Sequence, residues 1–344
     1  MLKYKNLLEI KNLYVNFERY AGIAEVLNGI NLYVNPSEKV GLVGESGCGK
    51  SLTVKTIMDL LPERRIEIKG SIEYKGKNIL NLKQEERRKI IGKEVVMIFQ
   101  DPMSSLNPVF KVGQQMIENL WWNHHMEAKP SSFFKRKLQK TKRDKLRDII
   151  IKTLNEVRIP DAERVLNSYP FQLSGGMRQR ILIAMALASE PTLLLADEPG
   201  TALDVTTQKQ IITLLNDLVE QKELAILMIT HNLGLIRETT NRVYIMYGGN
   251  IVESAATDEI FNKPLHPYTE GLLASVPKLT AKGVGEGIEG TVPNYLNIGK
   301  NCRFEPRCKY AIEKCKYEKP EMVELKPNHF VACFNPIQGG EKNA

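Results

Sequence analysis

Long apolar runs are missing from this chain: no stretch of about 18 apolar residues occurs in its 344 residues. The best candidate, 181–196, is interrupted by Glu190 and Pro191. A helical membrane span is therefore not expected. Met1-Leu2-Lys3-Tyr4-Lys5-Asn6 lacks the apolar core of a secretory signal, so the expectation is a chain that works in the cytosol. Aromatic residues are scarce, at 7%. The strongest basic run, 129–152, carries ten Lys/Arg against two Asp but has no aromatic ladder, only Phe133-Phe134 at one end. It reads as a solvated helix face rather than a nucleic-acid interface. Cysteine is sparse as well, five in all, and Cys48 is the one far from the rest. The net charge of +8 fits a nucleic acid, an anionic membrane face or an acidic partner and selects none of them. The 42% hydrophobic content is enough for a large core in two or three structural units.

What the chain does have is Gly44-Glu45-Ser46-Gly47-Cys48-Gly49-Lys50-Ser51, which fits the phosphate-loop pattern G-x-x-x-x-G-K-[ST]. Lys39–Val43 before it reads as a short buried strand. Leu52–Leu61 after it has apolar residues at helical spacing, with Pro62 as the stop. Glycines let consecutive N–H groups face phosphate oxygens, and the helix N-terminus adds partial positive charge. Lys50 would bridge the β- and γ-phosphates, and the Ser51 hydroxyl would ligate Mg²⁺. The chain therefore binds a nucleoside triphosphate, with Leu52, the next residue, among the binding positions.

Residues 7–35 alternate apolar and polar positions as strands do, with Tyr20 and Gly22 between the two runs. Tyr20, or else Phe17, would stack on a purine ring, the alternative being an ordinary hairpin aromatic. Gly70–Ile79 reads as a hairpin strand turning at Lys75-Gly76 into a charged helix over 83–91. Val95–Phe99 is a buried strand that delivers Gln100, a ligand for Mg²⁺ or the attacking water. Leu173–Arg180 precedes a helix over 181–189. Ser174 would be its N-cap, and Gly175-Gly176 leave amides open to an anion. That stretch lacks a lysine, so it makes sense capping a γ-phosphate held by another subunit. Leu193–Ala196 ends in Asp197, suited to Mg²⁺, and Glu198, suited to polarising water. Thr201–Asp204 follows as a loop, then a helix over 207–221, and the strand Ala225–Thr230 delivers His231 toward a γ-phosphate.

The order of these motifs resembles the ATP-binding subunits of ABC transporters over residues 7–260. GESGCGKS resembles the phosphate loop, Gln100 the Q-loop, LSGGMRQR the signature, LLLADE the Walker B segment, ALD the D-loop and His231 the switch histidine. The resemblance implies an α/β nucleotide-binding domain over 1–260. It would have a RecA-like core, an antiparallel β subdomain and a helical subdomain about 105–180. ATP would lie between one subunit's phosphate loop and its partner's signature. Ile98–Pro108 and Pro264–Thr269 resemble the dipeptide/oligopeptide importer group, and Met103 the D-type rather than the F-type subunit. Gly200 departs from the threonine of many relatives. The implied partners are two integral-membrane permeases, an F-type ATPase (or a self-dimer in isolation) and an extracytoplasmic peptide-binding protein, without nucleic acid. The implied place is the cytoplasmic face of the cell membrane. The competing class, a soluble ABC ATPase acting on nucleic acid or ribosomes, fits less well. This chain has one set of motifs and no coiled-coil or zinc insertion.

Residues 261–344 form an extension that holds Cys302, Cys308, Cys315 and Cys333. Their spacing C-x5-C-x6-C-x17-C lacks C-x2-C knuckles and favours a [4Fe–4S] cluster over zinc, with reduced, metal-free thiols as the third reading. Cys302–Cys308 also resembles the C-terminal motif of these importers, some of which carry such a cluster. His329 is a spare ligand or a surface histidine. Rich in Gly, Pro, Lys and Glu, residues 280–344 have few apolar runs to offset chain entropy, so metal–thiolate bonds are the expected staple of a small irregular metal-binding lobe.

Overall fold

The computed structural model describes residues 4–61, 65–124, 140–201, 203–275, 287–296 and 298–337. Pro62, Phe133-Phe134, Ala202 and the first part of the basic run lie outside them, as does the side chain of Met103. The chain divides into two compact units, Met1–Leu80 with Leu227–Ala344, and Asn81–Ile226.

The first unit opens with β1 (Leu8–Arg19) and β2 (Gly22–Val34), paired antiparallel with Leu8 opposite Val34 and Val15 opposite Leu27. Alternation, reset by register shifts between Ile10 and Leu13 and between Leu13 and Tyr14, puts Leu8, Ile10, Leu13, Val15, Leu27, Ile30, Leu32 and Val34 on the buried face, each contributing about 1.5–3 kcal/mol. β3 (Lys39–Val43) is buried along nearly its whole length and runs into α1 (Lys50–Ile57). That helix stops short of the sequence expectation because Asp59 turns left-handed (φ 56°) and the Leu60 N–H bonds back to the Lys55 carbonyl at 2.9 Å. β4 (Ile66–Tyr74) pairs with the other edge of β1, and β5 (Lys77–Asn78) folds back on it through Lys75-Gly76, both at positive φ.

The second unit holds α2 (Gln84–Ile90), β6 (Val95–Ile98), α3 (Pro102–Ser105), α4 (Val112–His124), α5 (Lys140–Glu156), α6 (Ala162–Asn167), α7 (Gly175–Leu187), β7 (Leu193–Asp197) and α8 (Val205–Gln221). β6 and β7 are parallel and wholly buried, which explains their unbroken apolar runs. Met116, Leu120, Ile150, Leu154, Val157 and Val165 pack the helices together. In α5, Asp144, Lys145, Arg147, Asp148 and Lys152 face water while Leu146 and Ile150 face inward, the solvated face expected there.

β8 (Ala225–Thr230) returns the chain to the first unit, followed by α9 (Leu233–Thr239), β9 (Arg242–Tyr247), β10 (Asn250–Ala256), α10 (Thr257–Asn262), α11 (Pro267–Ala274), β11 (Val323–Lys326) and β12 (His329–Val331). Its larger sheet has the order β11-β12-β10-β9-β3-β8, with β3 and β9 parallel. The extension thus adds two strands to the edge of this sheet.

One expectation for the extension is corrected. His329 is neither a surface residue nor a spare ligand: it is buried, and its Nε2 lies 2.7 Å from the Glu253 carboxylate. That buried carboxylate also accepts from the Leu265 and His266 N–H groups at 2.7 and 3.0 Å. Side chains also staple the tail to this unit. Phe304 is buried against Tyr247, Tyr268 and His266, with ring centroids 5.0, 5.4 and 5.8 Å away. Arg303 donates to the Gly248 and Glu25 carbonyls at 2.6 and 3.0 Å, and Lys319 to the Asn28 carbonyl at 2.6 Å. A few large anchors, spaced too far apart to form an apolar run, offset the ordering of the tail.

His266 is buried, and its Nδ1 accepts from the Tyr268 N–H at 3.0 Å at the start of α11. Burial lowers its pKa from 6.5 to about 4, against the opposing pull of Glu253. A base with a depressed folded pKa contributes stability above its unfolded value and loses it as pH falls through the folded one. The melting temperature is therefore expected to drop from pH 6.5 toward 4, and less steeply in His266→Asn. Equal slopes in calorimetric scans of the two proteins would contradict this role.

Candidate nucleotide site

The phosphate loop lies in the first unit, between β3 and α1. Gly49 is the N-cap of α1 at φ 110°, which a side chain would resist. Gly44 is required for a different reason: a Cβ there would come 2.1 Å from the Met246 carbonyl oxygen on β9. Lys50 is buried and bends back over the loop, its Nζ donating to the Gly44 carbonyl at 2.7 Å and the Glu45 carbonyl at 2.9 Å. Those carbonyls fix the ammonium over the loop. Cys48 is buried, and desolvation raises its thiol pKa in spite of Lys50 nearby, so it stays a neutral packing group. Tyr20 is fully exposed at the tip of the β1–β2 hairpin, while Phe17 is half-buried with the Arg19 guanidinium 5.6 Å from its ring centre. His231 is exposed just beyond β8.

The second unit brings Gln100 and Glu198 together. Gln100 leaves the end of β6, and its Nε2 donates to the Glu198 carboxylate at 2.9 Å. The Thr201 hydroxyl donates to the same oxygen at 3.0 Å. Glu198 has φ 46°, a strained backbone for a side-chain-bearing residue, and the Gly200 N–H secures its carbonyl at 2.7 Å. Asp197 is buried at the end of β7. A residue that sequence reasoning missed is Gln179 of α7, buried with its Nε2 donating to the Pro199 carbonyl at 2.9 Å. It ties the signature helix to the carboxylate loop, and a polar residue between Arg178 and Arg180 gives no local hint of it.

The signature residues are themselves helical, not a loop before a helix. Ser174 is the N-cap, its Oγ accepting from the Met177 N–H at 3.3 Å, and α7 starts at Gly175. Gly175 and Gly176 thus occupy the first helical positions, where amides lack intrahelical partners. They also lie close to α8 and the turn before it: added Cβ atoms would meet Leu203 at 3.0 Å and Thr207 at 2.8 Å. At Gly200 a Cβ would meet Gln208, its Cγ at 2.8 Å and its backbone Cα at 3.6 Å.

The hydroxyl of Ser51 and the oxygens of Gln100 and Asp197 are hard donors, the chemistry that Mg²⁺ takes. The four tail cysteines are soft donors of a different kind. Burial, then the neighbouring thiols, pushes Cys302 up to about 11 and Cys333 up to about 12, and Cys308 is raised in the same way. They sense one another's charge, yet among the described residues no three His, Cys, Asp or Glu side chains converge on a metal position. The backbone fold thus holds these thiols near one another without drawing them onto one point.

Residues 27–201 match the family model described as ABC transporter, and 252–315 match that of the oligopeptide/dipeptide transporter C-terminal region. The chain is 42% identical over 334 residues to the oligopeptide transport ATP-binding protein OppD of Bacillus subtilis, covering 96% of this chain and 89% of the relative. With OppD of Escherichia coli it shares 41% over 333 residues, covering 96% and 94%. Among solved structures, it resembles a dimeric ATP-binding cassette in a post-hydrolysis state bound to ADP and Pi. That match has 25% identity and a TM-score of 0.60, covering 73% of this chain and 98% of the other.

Gly44→Ala is expected to push the loop off the Met246 carbonyl and weaken MgATP binding by on the order of tenfold or more, a displacement of this kind costing at least ~1–3 kcal/mol. A calorimetric titration giving unchanged affinity would show that the close approach is not needed.

Proposed function

Since the chain belongs to the ABC transporter family of ATP-binding subunits, with the C-terminal region of its oligopeptide/dipeptide branch, we propose that it is the ATP-hydrolysing motor of a peptide importer. The observation that carries the catalytic part is the Gln100–Glu198 contact at 2.9 Å beside the buried Asp197. Gly44–Ser51 and Leu52 hold the phosphates, with Lys50 exchanging its loop carbonyls for phosphate oxygens. Tyr20 stacks on the base. Ser51, Gln100 and Asp197 would hold Mg²⁺, which when bound offsets phosphate charge. Glu198 accepts the proton of the attacking water, held in place by Gln100 and Thr201, and His231 contacts the γ-phosphate. Ser174, Gly175 and Gly176 address ATP held by a partner ATPase, an F-type subunit in the transporter or a second copy in isolation.

In this reading residues 1–260 form the ATPase and 261–344 the extension. Permease subunits and an extracytoplasmic peptide-binding protein complete the importer, with this chain peripheral on the cytoplasmic side. No helix among the described residues is long and apolar enough to cross a membrane. The competing class, action on nucleic acid, rests on the net charge of +8 alone, which an anionic membrane face fits equally.

Glu198→Gln keeps shape and hydrogen bonding but removes the base. MgATP affinity should be retained while turnover falls by roughly a hundredfold or more. Hydrolysis near the wild-type rate would remove Glu198 from this role.

The chemistry of four neighbouring thiols also supports a [4Fe–4S] cluster at Cys302, Cys308, Cys315 and Cys333, with zinc as the alternative. To hold it, the thiols must lose their protons and close together. Anaerobically reconstituted protein is expected to carry iron and inorganic sulfide, and Cys308→Ser to carry neither. Zinc in place of iron, or no metal, would overturn the cluster.

A further inference from the structure

Three side chains from the extension meet the phosphate loop directly, and all three lie within the segment matched to the oligopeptide/dipeptide transporter C-terminal region. The Arg307 guanidinium takes the Glu45 carboxylate in a fork, Nη1 to one oxygen at 2.7 Å and Nη2 to the other at 3.1 Å. The Tyr268 hydroxyl accepts the Glu45 N–H at 2.9 Å. The Tyr295 hydroxyl donates to the Gly47 carbonyl at 2.8 Å.

These contacts fix the loop in a way that bears on anion binding. In a trans peptide the carbonyl and the following N–H point in opposite directions, so holding one aims the other. Tyr295 on the Gly47 carbonyl therefore sets the Cys48 N–H, which donates to the Glu45 carbonyl at 3.3 Å. The Cys48 carbonyl accepts the Gly249 N–H at 2.9 Å, which sets the direction of the Gly49 amide. Glu45 also places a negative charge inside a loop that must receive phosphates. The bidentate Arg307 compensates that charge and holds the carboxylate to one side. The Arg307 side chain is only 7% exposed and is itself braced, donating to the Glu289 and Ile288 carbonyls at 2.8 and 3.1 Å. Tyr295 is tied to β2, its carbonyl accepting the Glu25 N–H at 3.1 Å. Burial holds the Tyr295 hydroxyl in its protonated, donating form.

We propose that the extension is a working part of the nucleotide site, with Arg307, Tyr295 and Tyr268 as positioning residues that shape the phosphate loop for MgATP. The proposal rests on the reading of Gly44–Ser51 as an ATP loop. It gives the C-terminal region a task in the motor itself, apart from any metal it holds.

The test is MgATP affinity of the full chain by calorimetry, with nucleotide-free melting temperature measured alongside. Arg307→Ala should weaken MgATP binding by on the order of tenfold and Tyr295→Phe by roughly threefold, the size of a lost charged and a lost neutral hydrogen bond. Arg307→Lys keeps the charge but not the fork, and should fall between wild type and Arg307→Ala. In a Glu45→Gln background, Arg307→Ala should cost less than it does alone. If Arg307→Ala does not fold, Arg307→Lys and Tyr295→Phe decide. Lowered melting temperatures with unchanged MgATP affinity in those two variants would reduce the contacts to scaffolding and overturn the proposal. A wild-type chain that binds no MgATP would overturn the loop reading and the proposal together.

Discussion

The site depends first on a planar peptide bond that cannot point both its ends the same way. Between Gly44 and Gly49 the carbonyls of Gly44, Gly47 and Cys48 are held by Lys50, Tyr295 and the Gly249 N–H. The amide that follows each carbonyl is aimed with it, and those of Glu45 and Cys48 are also held directly, by the Tyr268 hydroxyl and the Glu45 carbonyl. Glycine makes such a backbone possible but does not select it, because the same freedom allows many other loops. Selection comes from neighbours: the Met246 carbonyl close behind Gly44, the β9–β10 turn behind Cys48, and the extension on the outer side.

The extension reaches that position through a buried polar network. Glu253 on β10 accepts from two backbone N–H groups and faces His329 of β12. A buried carboxylate with fewer donors would be costly, and removing one partner here would leave the others unsatisfied. The network fixes the start of α11, hence Tyr268, and the Phe304 cluster fixes the turn that carries Arg307. Packing and satisfied polarity together deliver two hydroxyls and one guanidinium to a loop more than 200 residues earlier in the chain.

Much of this was legible in local pattern. The unbroken apolar runs at Val95–Ile98 and Leu193–Ala196 marked buried parallel strands, and each ends in the side chain it delivers, Gln100 and Asp197-Glu198. Ser174 announced a helix start, though not that the glycines after it were already helical. The rest was hidden because it is long-range. Nothing beside Arg307 in sequence marks Glu45 as its partner, and Tyr295 has no periodic neighbours. His329 was misread because a polar residue in a polar stretch defaults to the surface, and only a distant carboxylate makes its burial tolerable.

In the proposed arrangement the phosphate loop is already shaped before nucleotide arrives, and the extension shapes it. Amide hydrogen exchange of residues 44–51 in nucleotide-free full-length protein reads this directly. The account predicts clear protection of the Glu45 and Cys48 amides, which donate to Tyr268 and to the Glu45 carbonyl, with Cys48 losing protection in Tyr295→Phe. Exchange at both amides as fast as in an unstructured peptide, or protection at Cys48 indifferent to Tyr295, would contradict it.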